Sequence, residues 1–352
     1  MTEFDLIYRY FDHQSDLTQK NHLGSASILK GLGDDAAVIE FTADAKWVSC
    51  VDTLVQGRHF SDDWSQVETL AFAIGYKSVA VNVSDLAAMG AAPHSILLAL
   101  ALPERLANEK WLSEFAKGLF HACSQFGVQL IGGDTTRHDK LVISITANGL
   151  IESGLSAIYR NGAQVGDKVY VSGTLGDACY ALHHLSDESL SDSAKIAQQL
   201  AHRLHMPTPR VQLGQALAKQ GQATAMIDVS DGLVQDLTHI CQQSGVQVRL
   251  HLESLPASTP LQQVELTERL RCQLTGGDDY ELLFTLPAGV SPPDGLDCSD
   301  TQITCIGEVI SAAQPNSDTP LVELTYQAQV LSDDYPAPFA QMPNLQGFQH
   351  FV

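Results

Sequence analysis

Positive charge is scarce in this sequence of 352 residues. It has 20 lysines and arginines against 41 aspartates and glutamates, which gives a formal net charge of -21 at pH 7. Proteins that bind nucleic acid neutralise its phosphates with clustered basic side chains, and the sequence has no basic stripe of that kind. We therefore expect no nucleic-acid partner. A phosphorylated ligand would need another source of positive charge, and divalent metal ions are the obvious one.

Long apolar runs, a signal peptide and paired cysteines are also missing. The longest apolar run, Ile96 to Leu102, is far too short to cross a bilayer. The acidic N-terminus lacks the basic and apolar segments of a secretory signal. The seven cysteines are odd in number and contain no Cys-x-x-Cys pair, which argues against a disulfide framework. These absences predict a cytoplasmic protein that does not enter a membrane.

Several familiar catalytic motifs do not occur. The sequence has no G-x-x-x-x-G-K-[ST] phosphate-binding loop, and the segment 75–78 resembles only the tail of one. It also lacks the protein-kinase motifs, a G-x-S-x-G nucleophile turn and a His-Glu-x-x-His zinc helix. The chemistry must therefore be sought in residues that are not arranged in these motifs.

The composition that remains is that of a globular protein. Apolar residues make up 44% of the chain and charged residues 17%, and the length is sufficient for two domains with cores of their own. Glycine and small residues are concentrated between Ser153 and Gly166, which is typical of a linker. We predict one domain over 1–153 and a second over 154–352.

Isolated acids in apolar segments are the most informative feature. Asp85 lies near the end of a predicted helix over 66–89, three residues after Asn82 and therefore on the same helix face. Asp52 lies inside the predicted apolar strand 46–54. A carboxylate in such a segment is costly unless a cation or a hydrogen-bond donor meets it. The alternative to a metal ligand is an aspartate that caps a helix or forms a salt bridge.

Glycine pairs accompany other acids. We expect a turn at Gly132-Gly133-Asp134 after a strand over 128–131, and a second such turn at 275–281; turns of this kind bring backbone close to a phosphate or a metal. The segment from Gly173 to Asp177 joins a predicted strand to a predicted helix. Two interpretations of it stay open: a binding site for an anion at the helix N-terminus, and a plain tight turn. The acids near Asp228 have a structural alternative to ligand binding, because Ser230 or Asp231 could cap the helix that follows. Such a cap would not explain Asp228.

Together the acids predict a site for several Mg²⁺ ions and a phosphorylated ligand. Each lies beside glycine or at the end of a helix or strand, and Mg²⁺ prefers a few hard oxygen ligands at such positions. The six acidic sites are Asp34 with Asp35, Asp52, Asp85, Asp134, Asp228 with Asp231, and Asp278 with Asp279.

Seven segments, in chain order, resemble the thiamine-monophosphate kinase family of the aminoimidazole ribonucleotide synthetase superfamily, and they span nearly the whole chain. The segments are Gly33 to Asp35, Asp52 to Val55 with His59 and Phe60, Asn82 to Ala91, Gly132 to Thr135, Asp228 to Leu233, Gly276 to Leu282, and Gly347 to Phe351.

The resemblance implies a fold and a reaction. The expected fold is α/β and α+β: a two-domain aminoimidazole ribonucleotide synthetase-like fold, with a homodimer formed through the sheet of the N-terminal domain and an active site in the cleft between domains. The implied reaction moves the γ-phosphoryl group of ATP onto the phosphate of thiamine monophosphate by direct in-line transfer. Because the acceptor phosphate needs little deprotonation, positioning and charge neutralisation would suffice for catalysis.

The resemblance also implies roles for particular residues. The implied Mg²⁺ ligands are Asp35, Cys50, Val51, Asp52, Asp85, Asp134, Asp228 and Asp231. The implied nucleotide contacts are Gly133, Asp134, Arg160 and Ser230, and the implied contacts with the thiamine substrate are His59, Asp278 and Phe348. The residues expected to carry catalysis are Asp52, Asp85, Asp134 and Arg160.

Three positions depart from the family pattern. Cys50 and Val51 stand where threonine is usual, so a metal ligand there must be a backbone carbonyl. Asp278 stands where glutamate is usual and has a shorter reach. Phe348 replaces tyrosine or tryptophan, which keeps an aromatic face for stacking but loses the polar group.

Two other functions stay open. One is a different ATP-dependent enzyme of the same superfamily. Selenophosphate synthetases need a reactive cysteine near the N-terminus, and none precedes Cys50; hydrogenase-maturation relatives need a C-terminal cysteine, and this chain ends in His-Phe-Val. The other is a non-catalytic protein that binds nucleotide or metal, against which the full set of acids argues.

Overall fold

The contacts within the chain divide the computed structural model into two units of different architecture. Residues 1–87 and 91–156 form the first unit, and residues 88–90 and 157–352 form the second. The structure describes residues 8–12, 26–30, 37–41, 44–185, 191–293, 301–314 and 320–331. Among these residues, no helix combines the length and the apolar character that crossing a membrane requires.

The first unit contains a four-stranded sheet in the order β3-β6-β4-β5. Its strands are β3 (Lys46–Val55), β4 (Ala92–Leu102), β5 (Gln129–Arg137) and β6 (Val142–Ile151), preceded by an antiparallel pair, β1 (Ala26–Lys30) and β2 (Val38–Phe41). Strands β3, β6 and β4 pair antiparallel, whereas β4 and β5 pair in parallel.

The described helices of the first unit are α1 (Trp64–Thr69), α2 (Ala71–Ala88) and α3 (Glu109–Phe126), with a π-helical turn at Tyr8–Asp12 and a 3-10 turn at Glu104–Leu106. The predicted single helix over 66–89 is wrong in detail, because the helical run is interrupted at Leu70. Helices α2 and α3 approach closely through glycine: a Cβ atom on Gly118 would lie 1.9 Å from the carbonyl oxygen of Phe72. The glycines therefore permit the close helix packing that buries Val79, Val83 and Leu86 of α2.

One strand differs from its prediction in a way that affects the site. The structure has no turn at Gly132-Gly133, because β5 continues through both glycines to Arg137. Strand β4 supplies the parallel partner, with an irregularity in register between Ile96 and Leu97. A Cβ atom on Gly133 would lie 2.0 Å from the Leu98 carbonyl oxygen, so glycine allows the two strands to approach.

The two faces of this sheet differ in burial. Leu98, Leu100, Ile143 and Ile145 point to the buried side. We call the other side, which carries Val51, Thr53, Leu97 and Ala99, the exposed sheet face; 62% of Val51 and 38% of Leu97 are accessible. An apolar strand surface of this kind is unusual for a sheet that faces water.

The second unit is built on a seven-stranded sheet in the order β13-β12-β9-β11-β7-β10-β8. Its strands are β7 (Lys168–Ser172), β8 (Ala225–Asp228), β9 (Val246–His251), β10 (Leu282–Leu286), β11 (Ile303–Ala312), β12 (Val322–Tyr326) and β13 (Gln329–Val330). Only the β9–β12 pair of this sheet is parallel.

Five helices accompany this sheet in the described residues: α4 (Asp177–His184), α5 (Asp192–His205), α6 (Val211–Gln220), α7 (Leu233–Ser244) and α8 (Leu266–Thr275). The apolar stripe of α7, including Leu237 and Ile240, packs with buried strand residues such as Val171 and Val248 in one core. A second core joins α4, α5 and α8 through residues such as Tyr180, Leu200 and Cys272. Two short 3-10 turns lie at Leu252–Ser254 and Leu261–Gln263.

Candidate active site

In the first unit, polar groups meet where β3 runs past α2. The backbone N–H of Asp52 donates to the side-chain oxygen of Asn82 at 3.0 Å, and the thiol of Cys50 donates to the Asn82 carbonyl at 3.3 Å. The Asn82 amide nitrogen donates in turn to the carbonyl of Ser78, one helical turn earlier, at 3.0 Å. Asn82 is buried, so its amide links the strand to the helix at a fixed position.

The carboxylates of Asp85 and Asp52 both lie close to the Cys50 thiol. Burial raises the pKa of Cys50 far above its usual value, and the negative charges of Asp85 and Asp52 raise it further. The thiol is therefore protonated at neutral pH and is not a thiolate ligand. The structure thus brings together Cys50, Asp52 and Asp85, three of the predicted metal-site residues, with Asn82 as their support.

His59 follows this cluster in a tight turn after β3. Its Nδ1 atom accepts a hydrogen bond from the backbone N–H of Val55 at 3.0 Å. The turn itself is closed by Gly57, whose φ of 81° is left-handed and whose N–H donates to the Phe60 carbonyl. Because Nδ1 is an acceptor, a neutral His59 ring carries its proton on Nε2.

Gly133 and Asp134 lie on the opposite edge of the same sheet. The strand pairing aligns residues in rows that cross the sheet from β3 to β5. One row begins at Asp52 and ends at Gly133, by way of Ile145 and Leu98. The next row begins at Thr53 and ends at Asp134, by way of Ser144 and Ala99. Residues in one register row share a face, so Asp134 belongs to the row of the exposed sheet face and Asp52 to the buried one. Three strand spacings, about 14 Å, separate β3 from β5. Asp134 therefore does not join the cluster of Asp52 and Asp85 along the sheet.

In the second unit, three acids lie in and around the loop that joins β8 to α7. Asp228 is buried at the end of β8, and Asp231 follows before α7. Neither Ser230 nor Asp231 caps α7, because the residue at the cap is Gly232, which makes no side-chain cap. Instead Asp236, in the first turn of α7, accepts the backbone N–H groups of Ser230, Asp231 and Gly232 at 3.0, 3.1 and 3.2 Å.

Asp236 is a functional candidate that the sequence reasoning missed. Burial raises its pKa to about 8, and the charges of Asp228 and Asp231 act in the same direction, while the hydrogen bonds from the loop oppose the shift. Three carboxyl groups in one small region produce a concentrated negative potential, which suits a divalent cation. The only sequence signal was an acid in the first turn of an amphipathic helix, a very common position.

A second loop runs beside this one and carries Asp278. The backbone N–H of Asp278 donates to the Ser230 carbonyl at 2.9 Å, and that of Tyr280 donates to the Val229 carbonyl at 2.8 Å. Asp278 has a left-handed φ of 64°, and its carboxylate accepts the Tyr280 hydroxyl at 3.0 Å. A Cβ atom on Gly277 would lie 2.1 Å from the Ser230 carbonyl oxygen. The glycine pair therefore brings Ser230 and Asp278 side by side.

Beneath these loops, a buried ionic network fixes the backbone. The Glu281 carboxylate is fully buried and binds Arg203 at 2.7 Å, Arg210 at 2.5 Å and the Ser172 hydroxyl at 2.6 Å. Burial alone would raise the pKa of Glu281, but Arg210 and then Arg203 lower it below its usual range. Asp279 accepts the backbone N–H of Gly176 at the start of α4, with both carboxylate oxygens at 3.0 Å. The group at that helix N-terminus is thus the protein's own carboxyl group, and burial raises the pKa of Asp279 well above its usual value.

Arg160 lies apart from these loops. The carbonyl of Tyr159 accepts the backbone N–H of Met226, and the carbonyl of Arg160 accepts the Ser244 hydroxyl at 2.9 Å. The backbone of Arg160 therefore lies beside the first residues of β8, which precede Asp228 by two to three positions. The Arg160 side chain is exposed. Asp34, Asp35 and Phe348 lie outside the described residues.

Two family models match the chain in sequence. The model described as AIR synthase related protein, N-terminal domain, matches residues 33–151, and the corresponding C-terminal domain matches residues 164–317. Together with the solved structures below, they confirm the expected two-domain fold class.

Curated relatives and solved structures extend the comparison to nearly the full length. The thiamine-monophosphate kinase of Haemophilus influenzae is 40% identical over 88% of this chain and 89% of its own. The thiamine-monophosphate kinase of Escherichia coli is 41% identical over 81% of this chain and 82% of its own. The crystal structure of thiamine-monophosphate kinase from Stenotrophomonas maltophilia is 40% identical, covers 94% of this chain and 98% of its own, and superposes with a TM-score of 0.76. The solved structure of AaThiL complexed with AMPPCP and TMP is 28% identical, covers 100% of this chain and 99% of its own, and has a TM-score of 0.70.

Proposed function

Because the chain belongs to the thiamine-monophosphate kinase family, we propose that it transfers the γ-phosphoryl group of ATP to the phosphate of thiamine monophosphate, giving thiamine diphosphate and ADP. The observation that carries this proposal is the similarity to kinases of that name over nearly the full length of both chains. A kinase acting on a phosphate acceptor also explains why the chain has many acids and no phosphate-binding loop of the usual kind.

Several Mg²⁺ ions are part of the proposal, and the donor atoms fit them. The proposed ligands are oxygen atoms from Asp35, the backbone at Cys50 and Val51, Asp52, Asp85, Asp134, Asp228 and Asp231. Carboxylate oxygen suits Mg²⁺. Burial is the main cause of the raised pKa of Asp236, and the nearby charges of Asp228 and Asp231, which a cation would relieve, add to it. When bound, the metal ions would neutralise charge on two mutually repelling phosphate groups.

The residues of this chain would then act by position. His59 would offer its Nε2 hydrogen to the thiamine substrate, since Nδ1 is occupied by Val55. Ser230 with Gly133, Asp134 and Arg160 would contact the nucleotide, and Asp278 and Phe348 the thiamine substrate. The hydrogen bond between the Asp278 N–H and the Ser230 carbonyl supports this division, because the proposed nucleotide contact and the proposed substrate contact are neighbours.

We also propose that the protein is a cytoplasmic homodimer joined through the exposed sheet face. The apolar side chains of Val51 and Leu97 on that face support an interface between copies. The register row of Asp134 lies on the same face, so a second copy packed there would cover the strand that carries this acid. The described cysteines all have free thiols, which suits a reducing compartment.

The proposal is tested by incubating the purified protein with ATP, Mg²⁺ and thiamine monophosphate and measuring thiamine diphosphate and ADP in equal amounts. Asp85→Asn removes a charge from the cluster around Cys50 and should lower kcat by roughly a hundredfold or more, as loss of electrostatic stabilisation does. Asp139→Asn, an exposed acid in the turn between β5 and β6, is the matched control and should retain full activity.

Two results would contradict the proposal. ATP binding without any turnover would indicate the non-catalytic alternative. ATP consumption that does not depend on thiamine monophosphate would indicate another reaction of the superfamily. Normal turnover by a folded Asp85→Asn protein would remove Asp85 from the proposed site even if the reaction is correct.

A further inference from the structure

Two cysteines and a histidine converge in the second unit, on the side where α4 packs against α8. Cys179 and His183 are four residues apart on α4 and therefore share a helix face, and Cys272 faces them from α8. The Cys179 sulfur lies 3.5 Å from Nδ1 of His183. All three ligand atoms lie within 4.8 Å of one another. We call these residues the Cys-His-Cys cluster.

The separations within the cluster match those of a soft metal site. With bonds of about 2.3 Å to sulfur and about 2.0–2.1 Å to nitrogen, tetrahedral zinc holds a sulfur and a nitrogen ligand roughly 3.5 Å apart and two sulfurs roughly 3.8 Å apart. The observed 3.5 Å between Cys179 and His183 equals the first value. The remaining separations, at most 4.8 Å, require only small side-chain rotations.

We propose that Cys179, His183 and Cys272 bind Zn²⁺ as three protein ligands, with a solvent molecule in the fourth position. Both sulfurs are buried, whereas His183 is exposed, so the ion would have a dry side and a side that is open to water. The ligand set differs in kind from the carboxylates proposed for Mg²⁺, because thiolate and imidazole select zinc over magnesium.

The donor atoms suit a soft metal ion. Thiolate sulfur and imidazole nitrogen are the ligands that zinc prefers, and zinc binding releases the thiol protons. Arg271 lies near the cluster and would oppose a cation.

The position of the cluster indicates what the ion would stabilise. Helix α8 ends at Thr275 and leads directly into the loop of Gly277 and Asp278. A Cβ atom on Gly276 would lie 2.3 Å from Cβ of Cys179, so this backbone packs directly on the cluster. Zn²⁺ would therefore join α4 to α8 at the base of that loop. This role does not depend on the proposed kinase reaction.

The test uses the full-length protein, reduced, stripped of metal with a chelator and kept free of oxygen. Excess Mg²⁺ is present so that carboxylate sites are occupied. Co²⁺ is then added as a spectroscopic probe, and Zn²⁺ affinity is measured by competition with a chromophoric chelator. We expect one equivalent of Co²⁺ to give a thiolate-to-cobalt charge-transfer band with the strong visible absorption of tetrahedral cobalt, and Zn²⁺ to displace it.

Variants make the assignment specific. Cys272→Ser and Cys179→Ser should abolish the charge-transfer band, while Cys305→Ser, which replaces an exposed thiol elsewhere in the unit, should leave it unchanged. His183→Ala alters an exposed side chain and should fold whether or not zinc binds. It should weaken Zn²⁺ binding by at least about a hundredfold, since losing even an outer partner of a metal ligand costs ten- to a hundredfold.

Several results would overturn the proposal. They are the absence of a charge-transfer band in the wild-type protein, unchanged Zn²⁺ affinity in His183→Ala, and a Cys179–Cys272 disulfide in protein freshly isolated under reducing conditions. Added Zn²⁺ should also raise the melting temperature of the wild-type protein but not that of His183→Ala, as a ligand that binds only the folded state must.

Discussion

One carboxylate oxygen of Asp236 orders the loop between β8 and α7 by accepting hydrogen bonds from its backbone. Its Oδ2 atom accepts three successive backbone N–H groups, from Ser230 to Gly232, which would otherwise be unsatisfied before the first turn of α7. The same arrangement brings its charge towards Asp228 and Asp231. The loop is therefore ordered by an interaction that also concentrates negative charge, and the balance between the two effects depends on pH and on bound cations.

In the absence of divalent cations, we predict that the protein loses stability as the pH rises from about 4 to about 8. The pKa of Asp236 is about 8 in the folded protein, above the value of about 3.9 for an unfolded aspartate. At Asp236 the folded state therefore binds more protons than the unfolded state in this interval, so the contribution of this group to the free energy of unfolding falls as pH increases. Thermal melting measured across this range in a chelating buffer checks the prediction.

Two comparisons isolate the contribution of Asp236. Asp236→Asn cannot ionise, so its melting temperature should vary less with pH, although weaker acceptance of the loop N–H groups should lower it at pH 5. Mg²⁺ should restore most of the stability of the wild-type protein at pH 8 if Asp228 and Asp231 bind it. Equal pH slopes for the wild-type and variant proteins would show that Asp236 is not the group responsible.

Single residues were predictable from the sequence where their surroundings made them conspicuous. Asp52 and Asp85 interrupt apolar segments, and the structure places both beside Cys50. Asp236 and Glu281 were missed because each lies where acids are common, in a first helical turn and at the start of a strand. Their importance arises from partners distant in sequence, such as Arg203 and Arg210 for Glu281, and no local pattern reveals such partners.

Secondary-structure elements show the same limit. Glycine pairs favour turns, yet Gly132 and Gly133 lie inside β5 because β4 pairs with both of them, beyond the irregularity in register at Ile96 and Leu97. The pair at Gly276 and Gly277 does lie in a loop, as predicted, where no partner strand continues the chain. Local conformational preference is identical in the two cases, so tertiary pairing decides between them.

The neighbouring glycines of β5 provide a direct experiment at this scale. In Gly133→Ala, the new Cβ atom would lie 2.0 Å from the Leu98 carbonyl oxygen, so the two strands must separate. In Gly132→Ala, the nearest atom is the end of the flexible Leu97 side chain at 3.0 Å, which can move. We predict that Gly133→Ala costs about 1–3 kcal/mol in the free energy of unfolding, as overpacking does, and that Gly132→Ala costs much less.

Denaturant unfolding of both variants measures the difference. If Gly133 also contacts the nucleotide as proposed, the KM for ATP should rise in Gly133→Ala while that for thiamine monophosphate changes less. Equal destabilisation by the two substitutions would mean that strand separation at Leu98 is not the limiting contact.

At the scale of the whole molecule, the unexplained feature is the exposed sheet face of a highly charged protein. A formal net charge of -21 disfavours close approach of two copies, so an interface must bury enough apolar area to overcome repulsion. Val51 and Leu97 supply that area, and small or uncharged residues such as Thr53 and Ala99 surround them. Apart from Asp134 on the edge strand β5, the named residues of this face carry no charge, which is the opposite of what the composition would lead one to expect of a solvated surface.

We therefore predict that Val51→Glu converts the proposed homodimer to monomers, whereas Val165→Glu does not. The two valines are almost equally exposed, at 62% and 58%, but Val165 belongs to the second unit and is not a residue of the exposed sheet face. A buried glutamate without a partner is costly, and two-fold symmetry would introduce it twice into one interface. Sedimentation equilibrium over a range of protein concentrations should show a dimer dissociation constant raised by far more than tenfold for Val51→Glu alone. A monomeric wild-type protein, or equal effects of the two substitutions, would mean that the exposed sheet face is not where copies of this chain meet.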